Sequence, residues 1–80
     1  MHTDFRLYSR VRVSRLLTPR RAVSGSGAKT RQPEVGDTGT VVEYFGNIDG
    51  ATYLVESVDA DGETVWLAEF SRQELVADTP

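Results

Sequence analysis

The feature that most constrains this chain is a series of short β-prone runs separated by turn-forming residues. Two such runs, at positions 52–58 and 63–70, flank an Asp61-Gly62 pair, which is the strongest short-range signal for a β-hairpin. A third run, at positions 40–45, follows a stretch with one proline and two glycines at positions 33–39. Since β-branched and aromatic residues dominate these runs, they predict three consecutive strands, the last two antiparallel.

The N-terminal part predicts one further strand and a long loop. At positions 7–17, apolar and polar side chains at first alternate, as in a strand with one buried face. The expected inner face carries Leu7, Ser9, Val11 and Val13, and the expected outer face carries Tyr8, Arg10 and Arg12. Positions 18–34 lack this pattern and are rich in Gly and Ser, so they predict a flexible insertion.

The C-terminal residues predict a helical turn and a short closing strand. Ser71 is followed three residues later by Glu74, which suits a capped single turn. Val76 and Ala77 then continue as a strand, and residues 78–80 are expected to fray. The whole pattern predicts an all-β, five-stranded small barrel in one domain, with its core at positions 7–17 and 35–77.

Composition limits what can stabilise this domain. The chain has 80 residues and no cysteine, so burial and backbone pairing must hold the fold without disulfides or thiolate metal sites. It shows neither the apolar core of a signal peptide nor a membrane-spanning apolar run. We therefore expect a cytoplasmic protein without membrane association; the sequence does not set its oligomeric state.

Charge is unevenly distributed along the chain. Residues 1–32 contain eight basic residues against one acid, a net +7, whereas residues 33–80 contain one arginine against eleven acids, a net −10. A basic segment of this kind can contact phosphates or an acidic protein surface. The simpler expectation is that it folds against the acidic half of its own chain.

Three segments resemble a known family. Residues 35–43, 53–56 and 61–64 together resemble the DUF4926 family of small bacterial proteins, for which an SH3-like barrel is expected. The Gly36-Asp37-Thr38-Gly39-Thr40-Val41 segment is also similar to KOW modules, to the photosystem I reaction-centre subunit IV and to the nitrile hydratase β-subunit. The resemblance implies a fold and no catalytic residue, cofactor or metal.

Residues with catalytic or metal-binding chemistry lack the partners that such chemistry needs. His2 has no cysteine or triad pattern beside it. Residues 25–30 have the wrong glycine spacing for a phosphate-binding loop, and the acids Asp59, Asp61 and Glu63 do not complete a calcium loop. A small filled barrel offers little cleft for paired carboxylates, so we expect a protein that is not an enzyme.

Two surfaces are candidates for partner binding. If Val65 and Leu67 face the core, Trp66 faces outward and forms an exposed patch with Tyr44 and Leu54. The alternative is that a β-bulge shifts the register by one residue and buries Trp66. The second surface is basic and includes Arg10, Arg12, Arg20 and Arg21.

These surfaces lead to three hypotheses of function. The first is a protein-interaction module, such as an accessory, immunity or antitoxin-like protein, which binds its partner through the aromatic patch or the arginine-rich loop. The second is a KOW-type barrel that binds RNA or DNA through the basic segment, with Tyr8 stacking on a base. The third is a regulatory subunit of a larger enzyme.

Overall fold

A computed structural model describes residues 5–25, 27–47 and 50–78 of the chain. These residues form five β-strands and one turn of 3-10 helix at Arg72–Glu74. The strands are β1 (Arg10–Val13), β2 (Thr38–Asn47), β3 (Gly50–Val58), β4 (Thr64–Ser71) and β5 (Leu75–Ala77). None of the helical structure in these ranges has the length and apolar character needed to cross a membrane.

All five strands belong to one sheet, in the order β4-β3-β2-β1-β5, and every neighbouring pair is antiparallel. The prediction of an all-β fold is confirmed, as is the β3–β4 hairpin around Asp61-Gly62. The two edge strands, β4 and β5, are joined by the 3-10 helix. Within the described residues, no ladder of hydrogen bonds pairs them with each other. The sheet is therefore not closed by hydrogen bonds.

Strand β1 is shorter than the sequence pattern predicts. Val11 and Val13 are buried as expected, but Leu7 and Tyr8 lie in an exposed turn before the strand. Tyr8 has a φ of 67°, in the left-handed region, which interrupts the extended backbone. The placement of Leu7 on the inner face was therefore wrong.

The core lies on one face of the sheet, where cross-strand neighbours meet. Tyr53 pairs with Phe70, Val55 with Ala68, and Ser57 with Trp66. Because residues directly opposite each other share a face, these pairs form a continuous buried layer. Its apolar members are Val11, Val13, Val41, Tyr53, Val55, Trp66, Ala68, Phe70 and Leu75.

A bulge in β4 decides which residues of that strand are buried. Next to the hairpin turn, Val58 lies opposite Thr64; continued without a break, this register would place Leu67 opposite Val55 on the core face. The ladder shifts by one residue at Val65, so that Trp66 lies opposite Ser57 instead. Trp66 is 0% exposed, so the prediction of an outward-facing Trp66 was wrong and the bulge alternative is confirmed.

The Gly36–Val41 segment that carries the family resemblance has a structural role at several positions. Gly36 has a φ of 98°, in a turn that leads into β2. At Gly39, a Cβ atom would lie 2.7 Å from the backbone oxygen of Glu56, so only glycine allows this approach of β2 to β3. Val41 is fully buried. The motif thus marks the fold rather than a reactive site.

Candidate ligand-binding groove

The first loop covers the free edge of β4. The Ser24 amide donates to the Leu67 carbonyl at 3.0 Å, and the Leu67 amide donates to the Ser24 carbonyl at 2.8 Å. The Arg31 amide donates to the Val65 carbonyl at 3.2 Å. Exposed edge strands are sites of unwanted pairing, and these bonds give β4 a partner along that edge. The segment predicted as a flexible insertion therefore contacts the sheet at several points.

Arg21 joins this loop to the 3-10 helix. Its guanidinium forms an ion pair with Glu74, including a 3.0 Å bond from Nη1 to Oε1, and donates to the Glu69 carbonyl at 2.8 Å. It also lies over the ring of Phe70, with Cζ 4.6 Å from the ring centroid, in a cation–π arrangement. The Arg21 and Glu74 side chains are only 10% and 4% exposed, so the contact is largely shielded from water.

Glu74 remains ionised because its bonds outweigh its burial. Burial alone would raise the pKa of Glu74, but hydrogen bonds from Arg21 and from the Ser71 and Leu17 amides lower the pKa to about 2. The bond from the Ser71 amide to the Glu74 carboxylate is one of the two contacts of a capping box. Near neutral pH this carboxylate is therefore a charged anchor and not a proton donor.

Between the loop and the outer face of β3 and β4 lies a groove of about 620 Å³, hereafter the β3–β4 groove. Leu54 and Leu67 contribute apolar surface from the sheet, and Ala22 and Ser24 contribute from the loop. A second cavity of about 210 Å³ also contacts Ser24 and Leu67 and extends to Glu56. Together they form a concave surface of mixed polarity along β4.

The predicted aromatic patch is not formed. Leu54 lies on the outer face, but Tyr44 pairs with Tyr53, and their ring centroids are 5.3 Å apart. A bulge at Val42 shifts the β2–β3 register by one residue and so turns Tyr44 to the opposite face from Leu54. Tyr44 remains 43% exposed, although Trp66 and Leu54 do not lie beside it.

The predicted basic residues separate into those that form ion pairs and those that do not. Arg12 forms an ion pair with Asp78, and Arg21 with Glu74. Arg10 is exposed and donates to the Thr38 hydroxyl at 3.1 Å, and Arg20 is also exposed. Other ion pairs join Lys29 to Asp59 and Asp61, and Arg31 to Asp37. Much of the basic segment thus contacts acids from the other half of its own chain.

The acidic hairpin turn is organised by its own backbone. Asp59 accepts hydrogen bonds from the Asp61 and Glu63 amides at 2.9 and 3.1 Å, and the Glu63 amide contributes most to lowering the pKa of Asp59. Within the described residues, no cluster of three or more potential metal ligands occurs. His2, and Ser26 of the segment 25–30, lie outside those residues.

Sequence reasoning missed the β3–β4 groove because it depends on where the first loop lies. One signal was available in the alternation of side chains along this strand. Val65, Leu67 and Glu69 occupy alternate positions and belong to one face, whereas Trp66 and Phe70 belong to the other. The charged residue marks the outer face, and hence marks Leu67 as part of it.

No family model matches the chain, and neither curated proteins nor solved structures show a significant match.

Proposed function

We propose that this chain is a small, non-enzymatic module that binds a protein partner in the β3–β4 groove. The observation that carries the proposal is the groove itself, a cavity of about 620 Å³ whose lining includes the half-buried side chains of Leu54 and Leu67. Concave surfaces that combine apolar area with a few polar groups are the usual form of binding sites. Its lining includes Leu54, from the predicted aromatic patch, and Arg21, from the predicted basic surface.

The groove wall is held in place by contacts within the chain. The buried Arg21–Glu74 pair fixes one end of the loop, and the Ser24–Leu67 backbone bonds fix its middle. A surface ordered before binding loses less conformational entropy when its partner arrives. This preorganisation favours a groove that is already formed before the partner binds over a loop that orders only in the complex.

We also propose that the sheet corresponds to a five-stranded SH3-like barrel of the DUF4926 type. The strand order β4-β3-β2-β1-β5 and the single helical turn before β5 support the SH3-like topology, and the assignment to the DUF4926 type rests on the resemblance of residues 35–43, 53–56 and 61–64. We propose an accessory, immunity or antitoxin-like role in the bacterial cytoplasm, which the small size of the chain and its uneven charge distribution support.

Site-specific photo-crosslinking tests the location of the interface. A benzoylphenylalanine at Thr52, which lines the groove, is expected to give a discrete adduct with one partner in the cells that make the protein. The same group at the exposed Ala60, in the hairpin turn, is the matched control and is expected to give none. Equal labelling from both positions, or no adduct from Thr52, would contradict the proposal.

Nucleic-acid binding is the second candidate function, favoured by one observation. Arg10, Arg15 and Arg20 are exposed, and none of them forms an ion pair within the described residues. This candidate predicts RNA or DNA binding whose log affinity falls linearly with log salt concentration. A fluorescence-anisotropy titration with single-stranded RNA at low salt tests it, and a flat titration removes it.

A further inference from the structure

The outer face of the sheet carries two acids on either side of an apolar residue. The strand register places Glu43 of β2 and Glu69 of β4 each directly opposite Leu54 of β3. Neighbouring strands lie about 4.8 Å apart, so the two acidic positions are roughly 10 Å apart across the sheet. The row Glu43–Leu54–Glu69 thus presents apolar surface between two negative charges.

The next row continues this pattern toward the hairpin turn. Glu56 of β3 lies directly opposite Leu67 of β4. The Glu56 carboxylate accepts a hydrogen bond from the Thr64 hydroxyl at 2.6 Å. Each of the two leucines in the groove therefore has at least one carboxylate beside it on the same face.

These three acids are not neutralised within the described part of the chain. Glu43, Glu56 and Glu69 form no ion pair there, whereas Arg21, the cation that lines the groove, is paired with Glu74. Glu69 lines the groove, Glu56 lines the second cavity, and Glu43 lies opposite Leu54. This part of the outer face therefore carries an excess of negative charge around apolar surface. Charge complementarity favours a cationic partner and disfavours a polyanion on this face.

The edge of β4 limits how a partner can bind. At Leu67 both the amide and the carbonyl are already bonded to Ser24. A partner strand cannot add to the sheet there by main-chain pairing unless it displaces the loop. Recognition in the groove must come from side chains that lie against the outer face.

Building on the proposed function, we propose that the partner of the β3–β4 groove is an extended peptide segment with an apolar residue between two Arg or Lys residues. The apolar side chain packs on Leu54 and Leu67, and the cations bind Glu43 and Glu69. In an extended segment, residues at alternate positions share a face, so a basic-x-apolar-x-basic pattern presents all three side chains together. Ion pairs of this type strengthen when partly shielded from water.

The test uses the full chain and a defined probe, the capped peptide Arg-Ser-Leu-Ser-Arg. The peptide is titrated into isotope-labelled protein, and the amide chemical shifts are recorded. We expect the amide resonances of Leu54, Leu67 and Ser24 to shift. Replacing both acids in a Glu43→Gln, Glu69→Gln double variant is expected to weaken binding about tenfold, as two screened ion pairs predict. The matched control Asp61→Asn, an exposed acid of the hairpin turn, is expected to bind like the wild type.

Two further peptides and the crosslinked partner separate the outcomes. Equal binding of Glu-Ser-Leu-Ser-Glu, or shift changes confined to β1, would overturn the cationic-partner proposal. A different outcome is a partner that crosslinks at Thr52, with the adduct lost in Leu54→Asp but retained in the Glu43→Gln, Glu69→Gln double variant. In that case the groove is the binding site, and the proposed role of the two carboxylates is wrong. The peptide Arg-Ser-Ser-Ser-Arg is expected to bind more weakly than the leucine peptide; equal affinity would also overturn the proposal.

Discussion

The indole of Trp66 donates a hydrogen bond from Nε1 to Oδ2 of Asp37 at 3.0 Å, which ties the core of β4 to the turn before β2. Asp37 also accepts two bonds from the Arg31 guanidinium, at 2.7 and 3.1 Å, and one from the Glu34 amide at 2.9 Å. Burial alone would raise the pKa of Asp37, but these bonds lower it. One carboxylate thus joins the core, the first loop and the turn.

The first prediction concerns this contact. A Trp66→Phe variant keeps most of the buried aromatic volume but removes the indole donor, and we expect the free energy of unfolding to fall by about 1–2 kcal/mol. Trp66→Ala also leaves a cavity and is expected to cost about 3–5 kcal/mol. Urea denaturation followed by circular dichroism measures both effects.

Fluorescence of the wild-type chain provides an independent check, because Trp66 is its only tryptophan. Its emission is expected to resist acrylamide quenching in the native state and to become quenchable in urea. Strong quenching of the folded protein would contradict the burial of Trp66.

The second prediction concerns the buried ion pair. Glu74→Gln leaves the Arg21 guanidinium without its counter-charge in a site where both side chains are largely buried. Breaking one side of such a pair typically costs about 3–5 kcal/mol, a large part of the roughly 4–12 kcal/mol expected for a domain of this size. Chemical denaturation of the variant measures the loss.

The matched control is Glu63→Gln, which removes an exposed carboxylate in the hairpin turn. It is expected to change stability by less than about 0.5 kcal/mol. Equal effects of the two substitutions would show that the Arg21–Glu74 contact does not stabilise the fold.

The third prediction is a loss of stability in acid. The pKa of Glu74 is lowered from 4.5 to about 2 in the folded state, so the unfolded chain binds the proton more tightly. The stabilisation is therefore fully present above about pH 5 and is lost as the pH falls toward 2. It amounts to at most about 3 kcal/mol. The lowered pKa of Asp37 contributes in the same direction.

Urea midpoints measured between pH 7 and pH 2 test this dependence. The slope of stability against pH is expected to be smaller in Glu74→Gln than in the wild type, because the variant lacks the titrating group. A wild-type protein whose stability is constant between pH 5 and pH 2 would contradict the assignment.

The fourth prediction concerns the covered edge of β4. Ser24→Pro removes the amide that donates to the Leu67 carbonyl and is expected to cost about 1–2 kcal/mol. It also exposes part of an edge strand, so we expect association that increases with protein concentration. Analytical ultracentrifugation over a range of concentrations measures it.

Ser24→Ala is the matched control because it keeps both backbone bonds and changes only the side chain. It is expected to remain as stable as the wild type and to sediment in the same way. If Ser24→Pro also behaved like the wild type, the loop would not protect the strand edge.

Local sequence determined much of the architecture. The β-prone runs form β2, β3 and β4, and the Asp61-Gly62 pair lies in the β3–β4 turn. Ser71 is the N-cap of the 3-10 helix, and Glu74 is its last residue. These features depend on residues close together in the chain, whose conformational preferences act locally. They could be predicted without knowing what packs against them.

Tertiary structure alone decided which side chains face the groove and which face the core. Alternation along a strand gives two faces but does not say which is buried, and a one-residue bulge exchanges them. Bulges at Val42 and Val65 turned Tyr44 and Trp66 away from the face of Leu54. The course of the first loop was likewise set by distant contacts, Arg21 with Glu74 and Ser24 with Leu67, because pairings across so many residues have no local signature in the sequence.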